Sequence, residues 1–493
     1  MPPISFNQVP LDIFSPGIYM EIDPSLSKTG LPIFKQRIVL MGQMGTAAQA
    51  TAGQMDMIIT AAEAKTRYGA DSMLYAMVKS LRAVNPYQEL LVVPLADNPA
   101  GVAAIGTITI TGTATASSTQ PIYIGDKRYQ IGITSGELAA SVAGRLVTLI
   151  NNDLESIVVA NNVGAAITLT CKWKGETGND ISLLDRFYKD DYGTRGITFA
   201  VVAMSGGAGN PDITLGLDAL DDLTQYQAYA IPYTDTVNLD LLRTELDDRW
   251  GPLRAMDGRV YTGKREGVAA LTTHVLSRND QNYICMDTDE DAATPPWQWA
   301  ASVAGTASFY GAIDPGRPFQ TLELIGIMGA PEGQRRLSAE RETLLRNGCS
   351  TNIIGDDGKV RIHRAVTSYN LNEAGAEDQA YKSLNTVMLM SYYRRSVINR
   401  FQLKYPRHKL AVSGHPAAGL SSNIITPETG IAEFLAHYKL MMDRGLMDDF
   451  DGYKQDIIAN KNADMRGRLD VFDRPRPIDQ FHQLAVRAAF KLI

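Results

Sequence analysis

Arg37-Ile-Val-Leu-Met-Gly42 and Leu90-Leu-Val-Val93 are short apolar runs, and between them Ala61 to Leu81 sets Tyr75, Met77, Val78 and Leu81 at helical spacings. An unbroken apolar run predicts a strand covered on both faces, the habit of parallel sheets. Strand, helix, strand in that order predicts an α/β layer, and this fixes the expected fold class. The pattern resumes downstream. Helices are expected over Leu215 to Leu223, Leu239 to Arg249, Val268 to Ser277 and Pro331 to Asn347, and strands over Ala228 to Pro232, Val260 to Thr262 and Asn282 to Met286. Asn352 to Ile362 reads as a hairpin, because Asp357-Gly358 is a favoured tight-turn pair.

Between the two α/β stretches, 31–97 and 206–379, the composition changes. Gly106-Thr-Ile-Thr-Ile-Thr-Gly-Thr113 alternates strictly, as does Pro121 to Ile133; Leu138 to Asn151 is helical and Ile167 to Lys174 is a strand. Residues 98–205 therefore read as an inserted Thr-rich β domain, left through the Gly-rich run Ser205-Gly-Gly-Ala-Gly-Asn-Pro211. A C-terminal domain, 380–474, opens on a long helix with Met390, Tyr393, Val397 and Phe401 three and four apart, and a second helix runs from Ile431 to Asp443.

The ends differ from the body. In the N-terminal arm, 1–30, Ile18, Met20 and Ile22 alternate with Tyr19 and Glu21, which predicts a short strand beside proline-rich chain. In the C-terminal arm, 475–493, Leu484, Val486, Ala488, Phe490 and Leu492 occupy every second position, so a strand is expected there as well. Arg474-Pro-Arg-Pro477 before it reads as a stiff linker that holds it away from its own domain. Strands projected in this way can complete a neighbour's sheet, and repeated head to tail they make rings or filaments. The bland alternative is that both fold back into their own sheet.

Composition narrows the function classes. A chain of 493 residues exceeds one core, and its 45% apolar and 20% charged content is that of a soluble globular protein. The net charge of −7 argues against nucleic-acid binding. From Ala380 onward 17 Lys or Arg face 11 Asp or Glu, a balance of +6, which leaves −13 for the first 379 residues and suggests either a C-terminal region that meets an acidic partner or a mixed charged surface. Cys171, Cys285 and Cys349 are too scattered for a disulfide framework. The start lacks a basic and an apolar signal region, and the least charged stretch, Leu90 to Gly125, is broken by prolines, so no membrane insertion is expected.

Chemical motifs fail one by one. Gly258-Arg-Val-Tyr-Thr-Gly-Lys-Arg265 fits a phosphate loop until Arg265 stands where a metal-binding hydroxyl is needed. Asp235, His274 and Ser308 follow the chain order of subtilisin-type hydrolases, yet His274 lies in a probable helix without the Gly-rich setting of that family's histidine. Asp287-Thr-Asp-Glu-Asp291 begins like a calcium loop, but Ala292 and Gln298 stand where Gly and Glu belong, so a solvated acidic loop is expected. No catalytic residue, metal site or cofactor is predicted.

Several segments together resemble the tail sheath family of contractile phages, in particular its Mu-like branch. They are Pro16-Gly-Ile-Tyr-Met-Glu-Ile22, Thr107 to Thr113, Ile122-Tyr-Ile-Gly-Asp-Lys-Arg-Tyr129, Lys174-Gly-Glu-Thr-Gly-Asn-Asp-Ile181, Ser205 to Asp212, Val360 to Tyr369 and Gly467 to Ile493. The resemblance implies an α/β core of subtilisin-like fold without protease activity, with the inserted β domain turned outward and terminal arms linking neighbours. It implies hexameric rings stacked in a helical sheath around a tail tube protein, baseplate and tail terminator proteins as further partners, a place in the virion tail and assembly in the host cytoplasm. The basic C-terminal domain would face the tube through Arg394, Arg395, Arg400 and Lys404. A serine hydrolase is the rival from another class, and a bacteriocin or secretion-machine sheath the rival within this one.

Overall fold

The computed structural model describes residues 34–418 and 423–491, with Ser15, Gly17, Ile18, Met20 and Leu31, and it divides into two compact units. The larger comprises Phe34–Arg395 with Asp479–Ile493, and the smaller Ser396–Ile478 with Met1–Ile33. Ile18 and Met20 are exposed and in no strand; Tyr19, Glu21, Ile22 and Leu492 lie outside the described residues.

The larger unit is built on a six-stranded sheet with Arg37–Gln43 inside it, parallel to Glu89–Leu95 on one side and to Ala228–Ala230 on the other. Arg259–Lys264 and Tyr283–Asp287 continue the parallel run, and Asp56–Met57 closes the opposite edge antiparallel. The uniform apolarity of Arg37–Gln43 has a simple cause. Ile38 and Leu40 enter one buried cluster with Met77, Leu81 and Trp297, while Val39 and Met41 enter another with Leu242 and Val275. Both faces are covered, so the expected α/β layer is present.

Helix boundaries depart from the sequence reading. Ala61 to Leu81 is two helices, Ala61–Tyr68 and Met73–Val84. Gly69, at φ +95°, ends the first, and the Ser72 hydroxyl caps the second by accepting the Tyr75 N–H at 2.9 Å. The helix expected from Leu215 shortens to Thr214–Asp218, and that expected from Pro331 begins at Ser338, after a turn at Gly333 with φ +93°. Pro296–Ile313 is a helix that no amphipathic stripe announced, because nearly every side of it is buried. A Cβ on Gly305 would stand 2.9 Å from Val84 Cγ2, which is how closely this helix approaches Met73–Val84.

The Thr-rich block folds as an antiparallel sheet in the order Ile197–Ser205, Ile105–Gly112, Ala166–Cys171, Val158–Val163, beside a three-stranded sheet and the Ala139–Asn151 helix. Its alternation is real: Ile108 and Ile110 are buried, and Thr111 is exposed. Both isoleucines share one continuous cluster with Ile38 and Leu40, so the block is packed onto the α/β sheet. Thr351–Ile354 and Val360–Arg364 form the expected hairpin, with Gly358 at φ +72° in its turn.

In the smaller unit, the end of the Leu384–Lys404 helix and the Pro427–Asp443 helix accompany an antiparallel hairpin, Ile458–Lys461 with Leu469–Phe472. Arg474 to Pro477 is not a projecting linker. Pro477 bridges to Met447, and the Arg476 guanidinium is paired with Asp449 and Asp456.

Candidate functional site

An open parallel sheet binds ligands outside the carboxyl ends of its strands, where the strand order reverses. Here that point lies between Arg37–Gln43 and Ala228–Ala230, and the chain itself occupies it. Gln43 Nε2 donates to Asp97 Oδ1 and to the Lys174 carbonyl, both at 2.7 Å, and the Lys174 N–H donates to Asp97 Oδ2 at 3.2 Å. Asn210 Nδ2 donates to Asp235 Oδ2 at 2.8 Å, and Asn210 Oδ1 accepts the Glu176 N–H at 2.8 Å. Residues within the Thr-rich block and at its two junctions thus take the hydrogen-bonding groups a ligand would use.

The residues with chemical promise are likewise engaged. Asp235 caps the Thr236–Trp250 helix by accepting the Asn238 N–H at 3.0 Å. His274 Nε2 lies 2.8 Å from the Tyr283 hydroxyl, and burial pushes its pKa down to about 4. Ser308 is buried in the Pro296–Ile313 helix. Among the described residues no contact joins these three. The phosphate-loop candidate is the strand Arg259–Lys264, and half-buried Arg265 donates to the Ala292 and Thr294 carbonyls.

The stretch from Asp287 corrects half of the expectation of a solvated acidic loop, for Glu290 and Asp291 are exposed but the other two acids are not. Asp287 and Asp289 are buried, and both face Arg336, whose Nε is 3.2 Å from Asp287 Oδ2 and 3.9 Å from Asp289 Oδ1. Burial, with the Asp287 charge adding to it, pushes the Asp289 carboxyl up to about 7 against the pull of Arg336. No residue pattern announces this cluster, since Arg336 is 47 residues from Asp289. Among the described residues no trio of His, Cys, Asp or Glu is placed to hold a metal ion, and no helix is long and apolar enough to cross a membrane.

The four candidate cations divide between the units. Arg394 Nη1 donates to Asp257 Oδ1 and to the Trp250 carbonyl, both at 2.7 Å. Arg395 lies 4.4 Å over the Phe34 ring. In the smaller unit Arg400 and Lys404 both pair with buried Glu433, which also accepts the Tyr405 hydroxyl at 2.8 Å. Of the four, only Lys404 keeps half of its side chain, 52%, in solvent.

The C-terminal segment is the opposite case. Gln483–Lys491 belongs to no strand, for an alternating segment needs a ladder and none is offered within the described chain. Leu484, Val486 and Phe490 are 75%, 74% and 88% exposed, and Ala488 is exposed too. Among the described residues only the root of the segment is held. Ser383 Oγ donates to Gln480 Oε1 at 3.1 Å, Gln320 Nε2 to the Phe481 carbonyl at 3.2 Å, and His482 Nδ1 lies 3.0 Å from Gln320 Oε1.

Comparison with known proteins adds a consistent result. Residues 206–368 match the family model for the phage tail sheath protein central domain, and residues 376–491 the model for the phage tail sheath C-terminal domain. The Mu-like prophage FluMu tail sheath protein of Haemophilus influenzae is 35% identical over 490 residues, 99% of this chain and 100% of the relative. Among solved structures, a sheath tail protein from Desulfitobacterium hafniense shares the fold, with a TM-score of 0.51 at 12% identity, over 97% of this chain and 100% of that one.

Proposed function

The chain belongs to the phage tail sheath family, a structural component of the virion tail, and from that premise we propose how it assembles and acts. Copies polymerise helically, as stacked rings of six around a tail tube, and the polymer shortens to drive the tube through a host envelope. The observation that carries the assembly reading is the exposed, alternating, unpaired segment Leu484–Phe490. A candidate acceptor exists in every copy: among the described residues no further strand pairs with either edge of the two-stranded sheet Ile458–Lys461 with Leu469–Phe472, and Ile458 and Phe472 are 52% and 54% exposed. Terminal strands of neighbours, Ile18 to Ile22 and Leu484 to Leu492, add to such edges through main-chain hydrogen bonds. Assembly takes place in the host cytoplasm, and baseplate and terminator proteins bound the polymer.

The α/β core is of the subtilisin-like type carrying the 98–205 block as an insertion, without protease chemistry; the separated Asp235, His274 and Ser308 support this. The energy of contraction resides in a kinetically trapped extended lattice, so no nucleotide is needed. Lys404 reaches the tube directly, while Arg394, Arg395 and Arg400 contribute through the residues they hold in place. Electron microscopy of negatively stained, concentrated protein tests the whole reading. Hollow tubes with a helical repeat are expected, and defined small oligomers with no tubes, even when tube protein is added, would overturn it.

A further inference from the structure

The two edges of the Thr-rich sheet are treated differently. On the Val158–Val163 edge the outward backbone groups of Val158 and Ala160 are already used. Asn151 Nδ2 donates to the Ala160 carbonyl at 2.8 Å, its Oδ1 accepts the Ala160 N–H at 2.9 Å, and the Ser156 hydroxyl donates to the Val158 carbonyl at 2.8 Å. Two side chains thereby close an edge that would otherwise pair with another chain.

On the opposite edge, register tells which groups are free. The Ile110 N–H donates to the Ala165 carbonyl and the Cys171 N–H to the Ala104 carbonyl, so even positions of Ile105–Gly112 bond toward Ala166–Cys171 and odd ones toward Ile197–Ser205. Thr198, Ala200 and Val202 stand opposite Thr111, Thr109 and Thr107, and spend their backbone groups within the sheet. Phe199 and Val201 turn theirs outward, and no described residue takes them. Nor do side chains guard this edge. Ile197–Ser205 contains no charge and no proline, and the row beside it, Val202–Thr107–Thr168–Asn161, is uncharged as well.

We propose that this edge docks a second copy of the chain, strand against identical strand, antiparallel about Ala200. The two outward residues flank Ala200 symmetrically, so Phe199 of one copy meets Val201 of the other, each pair exchanging N–H···O=C bonds, while Ala200 faces its own counterpart. Charge selects the occupant. The first 379 residues sum to −13, so two copies carry like net charge, whereas this edge presents a neutral surface to its own likeness. A two-fold contact closes on itself and makes a pair, not a filament. It therefore serves the unassembled subunit, covering an edge that would otherwise aggregate, and it stands independently of the arm-mediated assembly proposed above.

The test uses the full chain with Ala200→Lys, Ala200→Glu and Ala200→Cys, each at an exposed position. Sedimentation velocity should show that Ala200→Lys and Ala200→Glu each raise the dimer dissociation constant more than tenfold, since like charges are set face to face. Mixing the two should restore the dimer. Ala200→Cys should form a disulfide dimer with copper–phenanthroline, because the three native cysteines are buried. A wild type that stays monomeric, or charge variants that associate like the wild type, would overturn the proposal. So would an Ala200→Cys variant that forms no disulfide dimer while the wild type associates, for the pairing would then run through another surface.

Discussion

The ends of the parallel strands and the C-terminal segment make a telling pair. The first holds the residues that look chemical, Gln43, Asp235, Arg265, Asp287 and Asp289, and each has its partner within the larger unit. The second holds plain apolar residues at every other position, and they are left in solvent without a ladder. Buried polar groups must be satisfied, so pairing in the core is what stability alone demands. An exposed, alternating apolar segment is costly in a lone subunit, so the unmet need points outward, to a partner.

That contrast can be broken by experiment, and removing residues Leu484–Ile493 should have the largest effect. Polymerisation should be abolished while circular dichroism and thermal unfolding match the full chain, because Leu484–Phe490 contributes little buried area. Tubes of normal length from the truncated protein would remove the contrast altogether. Next comes the closed side. Glu433→Ala leaves the mostly buried Arg400 without its carboxylate and should cost about 3–5 kcal/mol, read as a lower denaturant midpoint for the first unfolding transition. Burial alone would raise the Glu433 carboxyl, but Lys404, Tyr405 and Arg400 hold it below the ordinary range. Its contribution is therefore present above the unfolded pKa and lost as pH falls through the lower folded one.

Asp289 runs the other way. Its folded pKa, about 7, lies above the ordinary aspartate value of 3.8, so between the two the native state keeps a proton that the unfolded chain has released. Stability from this group is full below the unfolded pKa and falls as pH rises toward 7. Asp289→Asn should then stabilise by about 2–4 kcal/mol at pH 8 and by almost nothing at pH 3. Asparagine also suits the φ of +62° at this position. Equal unfolding midpoints at pH 8 would remove the buried-acid reading. The smallest effect is expected at Ser308, which should resist a serine-directed covalent probe, and labelling there would reopen the core as a site.

The difference between the regions also marks what could be read from the sequence. Arg37–Gln43 and Glu89–Leu95 were legible because burial on both faces leaves a continuous apolar run. The helix Ala139–Asn151 was legible because one face is buried and the other is not. Pro296–Ile313 was not, since burial all round erases periodicity, and the break at Gly69 was masked because the apolar spacing carries across it. Of the candidate site residues, the alternation at Leu484 to Phe490 was visible. The pairing of Arg394 with Asp257, or of Arg400 with Glu433, depends on residues far apart in sequence and left no local signal.

The root of the C-terminal segment has a mechanical consequence. The chain leaves the larger unit after Arg395 and re-enters it at Asp479, so residues 396–478 form an excursion tied at both ends. A pull applied at Leu484 meets the hydrogen bonds of Gln480, Phe481 and His482 to Ser383 and Gln320 before any tension can run back along the backbone into that excursion. The larger unit is thus the first bearer of tensile load, and Gln320, with two of those bonds, is the pin that would have to shear.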